Sequence, residues 1–335
     1  MTLLVMDGFD HYSTTQLVDK KWGYANVGIS STYGRFGGYG FGMTSSSGNY
    51  GYKNLPANKS TIFFGIAIKK AEEGTPAYTS TLPLIRFRDE SGITQVKFYL
   101  LADYSIAAYQ GDDTLLGTTS AGVFRDLAWQ YLEAKITVSA TVGEVILRIN
   151  GSTVLNLTSQ DTKNGSDYIR QIWLAAIYNS KNTYFDDMYV DDTQFHGDCR
   201  VKTFVPDSIS GTNNSFTASA GNKDECVDEI PSNEDTDYIV SDTLNHKQTF
   251  GITTGVLGTV KAIQLNNHCR LDEAGTRKIT PIIRSNGTDY SGTESDEITA
   301  DYLFESEIWE TDPDDSGAWT QTKLEAAEFG LEITT

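Results

Sequence analysis

The stretch from 129 to 157 constrains this chain more than any other. In Trp129-Gln130-Tyr131-Leu132-Glu133-Ala134-Lys135-Ile136-Thr137-Val138, apolar residues at 132, 134, 136 and 138 alternate with polar ones. That is the period of a strand with one buried and one wet face. The turn Ala140-Thr141-Val142-Gly143 sends the chain back through Glu144-Val145-Ile146-Leu147-Arg148-Ile149, and Asn150-Gly151 turns it once more into Val154-Leu155-Asn156-Leu157. An Asn-Gly pair between two such runs is a strong hairpin signal. Further strands are expected at 61–69, 82–88, 95–100, 105–109, 114–117 and 172–177. Amphipathic stretches of roughly 10–15 residues do not intervene, so a βαβ arrangement is disfavoured and an antiparallel all-β fold is expected.

The order Trp, strand, Gly turn, strand, Asn-Gly resembles concanavalin A-like and laminin G-like jelly rolls. That resemblance implies a sandwich and no particular activity, since such sandwiches serve many functions. A length of 335 residues favours more than one domain, and past about residue 198 the composition shifts to Asn, Ser, Thr and acids. The expected architecture is therefore two β-sandwich domains in tandem, a concanavalin A-like jelly roll over 1–200 and a smaller β-sandwich over 201–335. The strongest strands of the second are expected at 249–252, 260–267 and 277–285. A short helix over 322–330 is expected there too, capped by Thr320 and ending at Gly330.

Two acidic stretches mark the limits of the first domain, Asp7-Gly8-Phe9-Asp10 and Tyr184-Phe185-Asp186-Asp187-Met188-Tyr189-Val190-Asp191-Asp192. In related jelly rolls the first and last strands are neighbours, and acids near each can share a structural calcium, which takes six to eight oxygens. Asp7, Asp10, Asp186 and Asp187 are the donors this would use. Strand alternation puts 186 and 187 on opposite faces, so only one is expected to reach the ion. No other cofactor is expected.

With 45 acids against 26 bases and a net charge of −19, repulsion from phosphate argues against a nucleic-acid partner, because such binding rests on a basic patch. The chain shows no apolar run of about 18 residues, and its first residues lack the basic flank of a signal peptide, so neither membrane insertion nor export by the usual route is expected. Cys199, Cys226 and Cys269 leave one disulfide open and make neither a disulfide framework nor a zinc motif. The Gly-rich stretch at 23–52 is not followed by the helix that phosphate-binding loops need. Its Tyr33, Phe36, Tyr39 and Tyr50 could supply an aromatic platform for sugar.

No catalytic residues emerge. The Glu-x-Asp-x-x-Glu run typical of glucanases with this fold is absent, Glu133 and Glu144 occupy wet-face strand positions, and no Gly-x-Ser-x-Gly elbow supports a nucleophile. A non-enzyme is the expectation.

Six segments stand in a fixed order: DGFDHY at 7–12, YFDDMYVDD at 184–192, GDCRV at 197–201, CVDEIPSNEDTDYI at 226–239, AGTRKITPIIRSNGTDYSG at 274–292 and IWETDPDDSGAWTQTKLEAAEFGLEI at 308–333. Together they resemble a family of tailed-bacteriophage structural proteins. The resemblance implies a virion protein assembled in the bacterial host cytoplasm, on the tail more than the head, serving assembly and host-surface contact. Its implied partners are other virion proteins and further copies of itself. The alternatives are a lectin-like adhesion module, for which a host-surface glycan is the partner, and a head decoration protein.

Overall fold

Alternation along the strands explains how they stack. In 143–149 the residues at 145, 147 and 149 are buried while those at 144, 146 and 148 are half-buried, so the strand has one face on a core. The computed structural model describes residues 2–44, 48–74, 83–177, 182–207, 211–255 and 258–335. They fall into two units, Thr2–Lys202 and Thr203–Thr335.

The first unit contains β1 (Leu3–Asp7), β2 (Trp22–Ala25), β3 (Val27–Ser30), β4 (Gly40–Met43), β5 (Tyr50–Lys59), β6 (Thr61–Lys70), β7 (Ile85–Arg88), β8 (Thr94–Leu100), β9 (Ile106–Gln110), β10 (Leu115–Thr118), β11 (Gln130–Thr137), β12 (Gly143–Ile149), β13 (Ser152–Gln160), β14 (Ile169–Ala175) and β15 (Thr183–Asp191). One sheet has eight strands in the order β13-β12-β11-β6-β15-β4-β3, with β1 also on β15; the other has seven, β10-β9-β8-β7-β14-β5-β2. All named pairings in both are antiparallel. The core lies between them: Phe64 of the first sheet meets Phe87 of the second edge to face at 5.7 Å, and Ile62, Ile66, Ile85, Phe98, Ile172 and Leu174 are fully buried. The β12–β13 turn has φ of 50° at Asn150 and 79° at Gly151, the double left-handed turn that Asn-Gly favours. Leu82, included in the expected strand at 82–88, lies outside the described residues, as do 45–47 of the Gly-rich stretch.

Strand β15 changes partner along its length. Thr183, Tyr184 and Phe185 pair with β4, whereas Met188 to Asp191 pair with β1, and the register against β6 slips between Asp186 and Tyr189. Asp187 has a φ of 51°, so the slip is a β-bulge with its inserted backbone twisted.

The second unit contains β16 (Thr217–Ala218), β17 (Ile239–Val240), β18 (Lys247–Phe250), β19 (Ile263–Cys269), β20 (Lys278–Ser285), β21 (Thr288–Ser291), β22 (Leu303–Trp309), α1 (Gln321–Ala326) and β23 (Glu328–Thr334). Strands β18-β23-β20-β21 form a four-stranded sheet, and β19 with β22 a ribbon. Ile283, Trp319, Leu324 and Ala327 form a core onto which Ile263, Trp309 and Phe329 pack, joining sheet, ribbon and helix. Thr320 caps α1 through Lys323 N at 3.2 Å. The helix stops at Ala326, short of the expected Gly330, because Ala327 is already extended and the chain enters β23. The acidic turn Asp312–Gly317 is partly neutralised by Lys323, whose Nζ lies 2.7 Å from Asp315 and 3.1 Å from Asp312. All three cysteines are free, so the disulfide left open by the sequence is not formed. No helix among the described residues is long and apolar enough to cross a membrane.

Candidate functional site

The two acidic stretches do meet, but the four aspartates divide their work. Asp7 is buried and already saturated: Phe9 N donates to Oδ1 at 3.0 Å, and Tyr12 Oη and Trp22 Nε1 donate to Oδ2 at 2.9 and 3.0 Å. Its carboxylate holds the aromatic cluster of Phe9, Trp22 and Phe41. Asp10 accepts Tyr39 N at 2.7 Å. Asp186 accepts Arg35 N at 2.7 Å and Asp187 N at 2.8 Å. Asp187 accepts Val201 N at 2.8 Å and faces Arg35 Nη1 at 3.5 Å. The bulge overturns the expected alternation, because both 186 and 187 reach Arg35.

Burial, and then the neighbouring charge of Asp187, push the Asp186 carboxyl up. Burial also raises Asp187, against the opposing pull of Val201 N and Arg35, and raises Asp10. A calcium held by all four does not fit: Asp7 is spent on three donors, and among the described residues no three of these carboxylates bring oxygens within 4.8 Å of one another. What ties the ends is Arg35, which forms a bidentate pair with Asp198 at 2.6 and 2.7 Å while its own N–H serves Asp186.

The segment after β15 covers the outer face of the eight-stranded sheet. Phe195 meets Phe63 at 4.9 Å and lies under Arg148 at 3.9 Å. His196 Nε2 lies 2.9 Å from Asp191 Oδ2. Glu133, expected on a wet face, is instead fully buried here: its Oε1 accepts Tyr189 Oη at 2.5 Å and Gly197 N at 2.8 Å. Glu144 pairs with Lys135.

The outer face of the seven-stranded sheet is different. Residues paired directly across an antiparallel ladder share a face, and the registers Tyr52–Trp173, Trp173–Arg86, Arg86–Lys97 and Lys97–Tyr109 run through β5, β14, β7, β8 and β9. Five side chains therefore form one row about 19 Å long, given a strand spacing of about 4.8 Å. Tyr50 stacks on Trp173 at 5.3 Å and lies beside Tyr52 at 6.2 Å, Arg86 lies over Trp173 at 4.4 Å, and Tyr99 meets Tyr109 edge-on at 5.4 Å. Gly23 is required beneath this row, since a Cβ there would lie 2.0 Å from the Tyr52 ring. A second row places Arg88 beside Gln171 and Asn54, linked by hydrogen bonds of 3.2 and 3.1 Å. Lys97 pairs with Asp113 at 2.6 Å. Burial and then the Asp113 charge push the Tyr99 phenol up to about 12, so it remains a donor at neutral pH. Tyr50, Tyr52, Arg86, Arg88 and Tyr109 are half-buried, with rings and charged tips that a ligand can meet.

Of the four aromatics expected to form a platform, only Tyr50 belongs to this face. Tyr33 stacks on Tyr184 at 4.5 Å, exposed Phe36 lies beneath Arg35 and Arg200, and Tyr39 offers its backbone to Asp10. Among the residues missed from the sequence, Tyr52 and Arg86 had a signal, since Tyr-x-Tyr at 50–52 and Arg-x-Arg at 86–88 put like-natured side chains two apart and hence on one face; Lys97, Tyr109 and Trp173 had none of that kind.

No protein-family model matches the chain, and no curated protein matches it. Solved structures do. An endo-β-1,4-glucuronan lyase from the fungus Trichoderma reesei is 14% identical, with 57% of this chain and 96% of that one covered at a TM-score of 0.40. An alginate lyase from Chlorella virus is 10% identical, covering 57% and 99% at 0.40. Domain 4 of a family 43 extracellular arabinanase from Geobacillus stearothermophilus, solved with arabinotriose, is 12% identical, covering 57% and 92% at 0.36. The likeness is one of fold alone, and none of it bears on a virion family. The expectation of a non-enzyme does not stand, since the solved structures similar in fold include lyases and glycoside hydrolases. The chain has an all-β fold whose first unit pairs an eight-stranded with a seven-stranded antiparallel sheet.

Proposed function

We propose that this protein binds a saccharide along the outer face of the seven-stranded sheet. The observation that carries the reading is the unbroken row Tyr52–Trp173–Arg86–Lys97–Tyr109 across five strands. Sugar rings present C–H faces that stack on aromatic rings, and their hydroxyls need a few fixed polar partners. This face offers both, with Gln171 and Asn54 already oriented by their own hydrogen bonds. Rigid strands hold these groups without the ordering cost that a loop would carry. The ordered segments of the sequence support a home on a bacteriophage particle, on the tail more than the head, where such a face would meet host-surface glycans beside other virion proteins.

A glycan array probed with the whole chain tests the reading. Binding to at least one saccharide class is expected, with about tenfold weaker affinity in Tyr52→Ala and in Tyr109→Ala, equal to about 1.4 kcal/mol each. No binding to any saccharide, or binding untouched by both changes, would overturn it. Absence of the protein from purified phage particles would remove the virion part alone.

A further inference from the structure

We infer that the saccharide recognised on this face is acidic, with its anionic groups taken by Arg86 and Arg88; this rests on the saccharide-binding reading above. The first support is the charge of the face against the charge of the chain. Acids outnumber bases 45 to 26 overall. Yet the residues that share this face, namely Tyr50, Tyr52 and Asn54, Arg86 and Arg88, Lys97 and Tyr99, Ala107 and Tyr109, Gln171, Trp173 and Ala175, include three bases and no acid. A sheet face that merely needed solvation would be expected to share the acidic character of the rest.

The second support is what each cation already touches. Lys97 is committed to Asp113 and to the Gly111 carbonyl at 3.0 Å. Arg88 is different: it donates to neutral acceptors, the Gly92 carbonyl at 2.6 Å and Gln171 Oε1 at 3.2 Å, and the carboxylate whose charge acts on it, Asp89, is the buried next residue and not one that shares this face. Arg86 carries its guanidinium carbon 4.4 Å from the centre of the Trp173 ring, which holds it on this face. Burial lowers the pKa of both arginines, a cost that a bound anion would relieve. Planar guanidinium forks match carboxylate and sulfate oxygens in paired hydrogen bonds. Half-buried Tyr52 on one side of Arg86 along the row and Tyr109 on the other leave ring faces for sugar while a charged substituent meets the arginine.

Equilibrium binding of the whole chain to polyglucuronate or polymannuronate oligomers, to a sulfated oligosaccharide, and to a neutral cello-oligosaccharide of equal length tests this. At least one acidic oligomer is expected to bind about tenfold or more tighter than the neutral one, and to weaken with added salt as exposed charge is screened. The carboxylate and sulfate arms tell which anion is preferred. Arg88→Gln and Arg86→Gln are each expected to lose that preference; should Arg86→Gln fail to fold, Arg86→Lys, which keeps the charge and loses the fork, replaces it. Neutral oligomer binding as tightly as every acidic one, or an acid preference unchanged in the Arg88 and Arg86 variants, would overturn the inference and leave the saccharide reading standing. No oligomer binding at all would bring down both.

Discussion

The two outer faces of the first unit are built from the same alternation and treated in opposite ways. On the eight-stranded sheet, the chain after β15 lies down over Tyr189, Glu133, Phe63 and Arg148 and contacts them. On the seven-stranded sheet, Tyr50, Tyr52, Arg86, Arg88 and Tyr109 stay half-exposed. A polar or charged group means something different in each setting: under the covering segment it is part of the fold, whereas on the other face it is available to a ligand. Glu133 and Arg86 illustrate this, since both occupy outward strand positions and only one is sealed in.

The two faces differ most at Glu133. Replacing it with Ala strands the buried donor Tyr189 Oη and the half-buried Gly197 N, and is expected to cost about 3 kcal/mol, read as a lower midpoint in urea and as faster proteolysis after residue 192. A smaller loss, about 2 kcal/mol, is expected for Arg35→Ala, which removes the bidentate hold on Asp198 and the contact with Asp187. On the other face, Tyr52→Ala should change stability by less than about 1 kcal/mol, because a half-exposed ring loses little burial, while it weakens saccharide binding. Equal destabilisation by Tyr52→Ala and Glu133→Ala would mean that both faces are structural.

Acidity gives a subtler separation. Asp10, Asp186 and Asp187 have folded pKa values raised above the ordinary 3.8, so between that value and the raised ones the folded state holds more protons than the unfolded state. Stability should therefore fall as pH rises from about 4 through the raised range, and level off above it. Asp191 acts oppositely: burial raises it, but His196, Thr193 and Gln194 hold it well below its usual range, so its contribution is lost only below about pH 4. Thermal unfolding against pH checks the sign; stability that rises steadily from pH 4 to 8 would show that these carboxyls are less confined than their geometry implies. The smallest effect is expected from calcium. With Asp7 saturated and Arg35 on Asp186 and Asp187, adding calcium to chelator-treated protein should leave the melting temperature unchanged, and a rise that Asp186→Ala abolishes would restore the shared-ion clip.

Much of the fold was legible in the residues because strand alternation and turn chemistry are local. Leu132, Ala134, Ile136 and Val138 announce a strand, Asn150-Gly151 a hairpin, and Thr320 a helix start, each within a few residues. Alternation misled at Asp186 and Asp187, where a bulge adds a residue that no local pattern marks, and at Glu133, whose wet face is covered by residues 64 positions later.

The candidate site lies at the far end of that scale. Strand alternation alone puts Tyr50 and Tyr52, Arg86 and Arg88, and Lys97 and Tyr99 on a shared face within each strand, because side chains repeat every second residue. Only the tertiary structure decided that Tyr52, Trp173, Arg86, Lys97 and Tyr109 stand in one line. Strand order and register are set by which edges pair and which apolar face meets the core, and the strand that joins β5 to β7 arrives from more than 80 residues further along the chain.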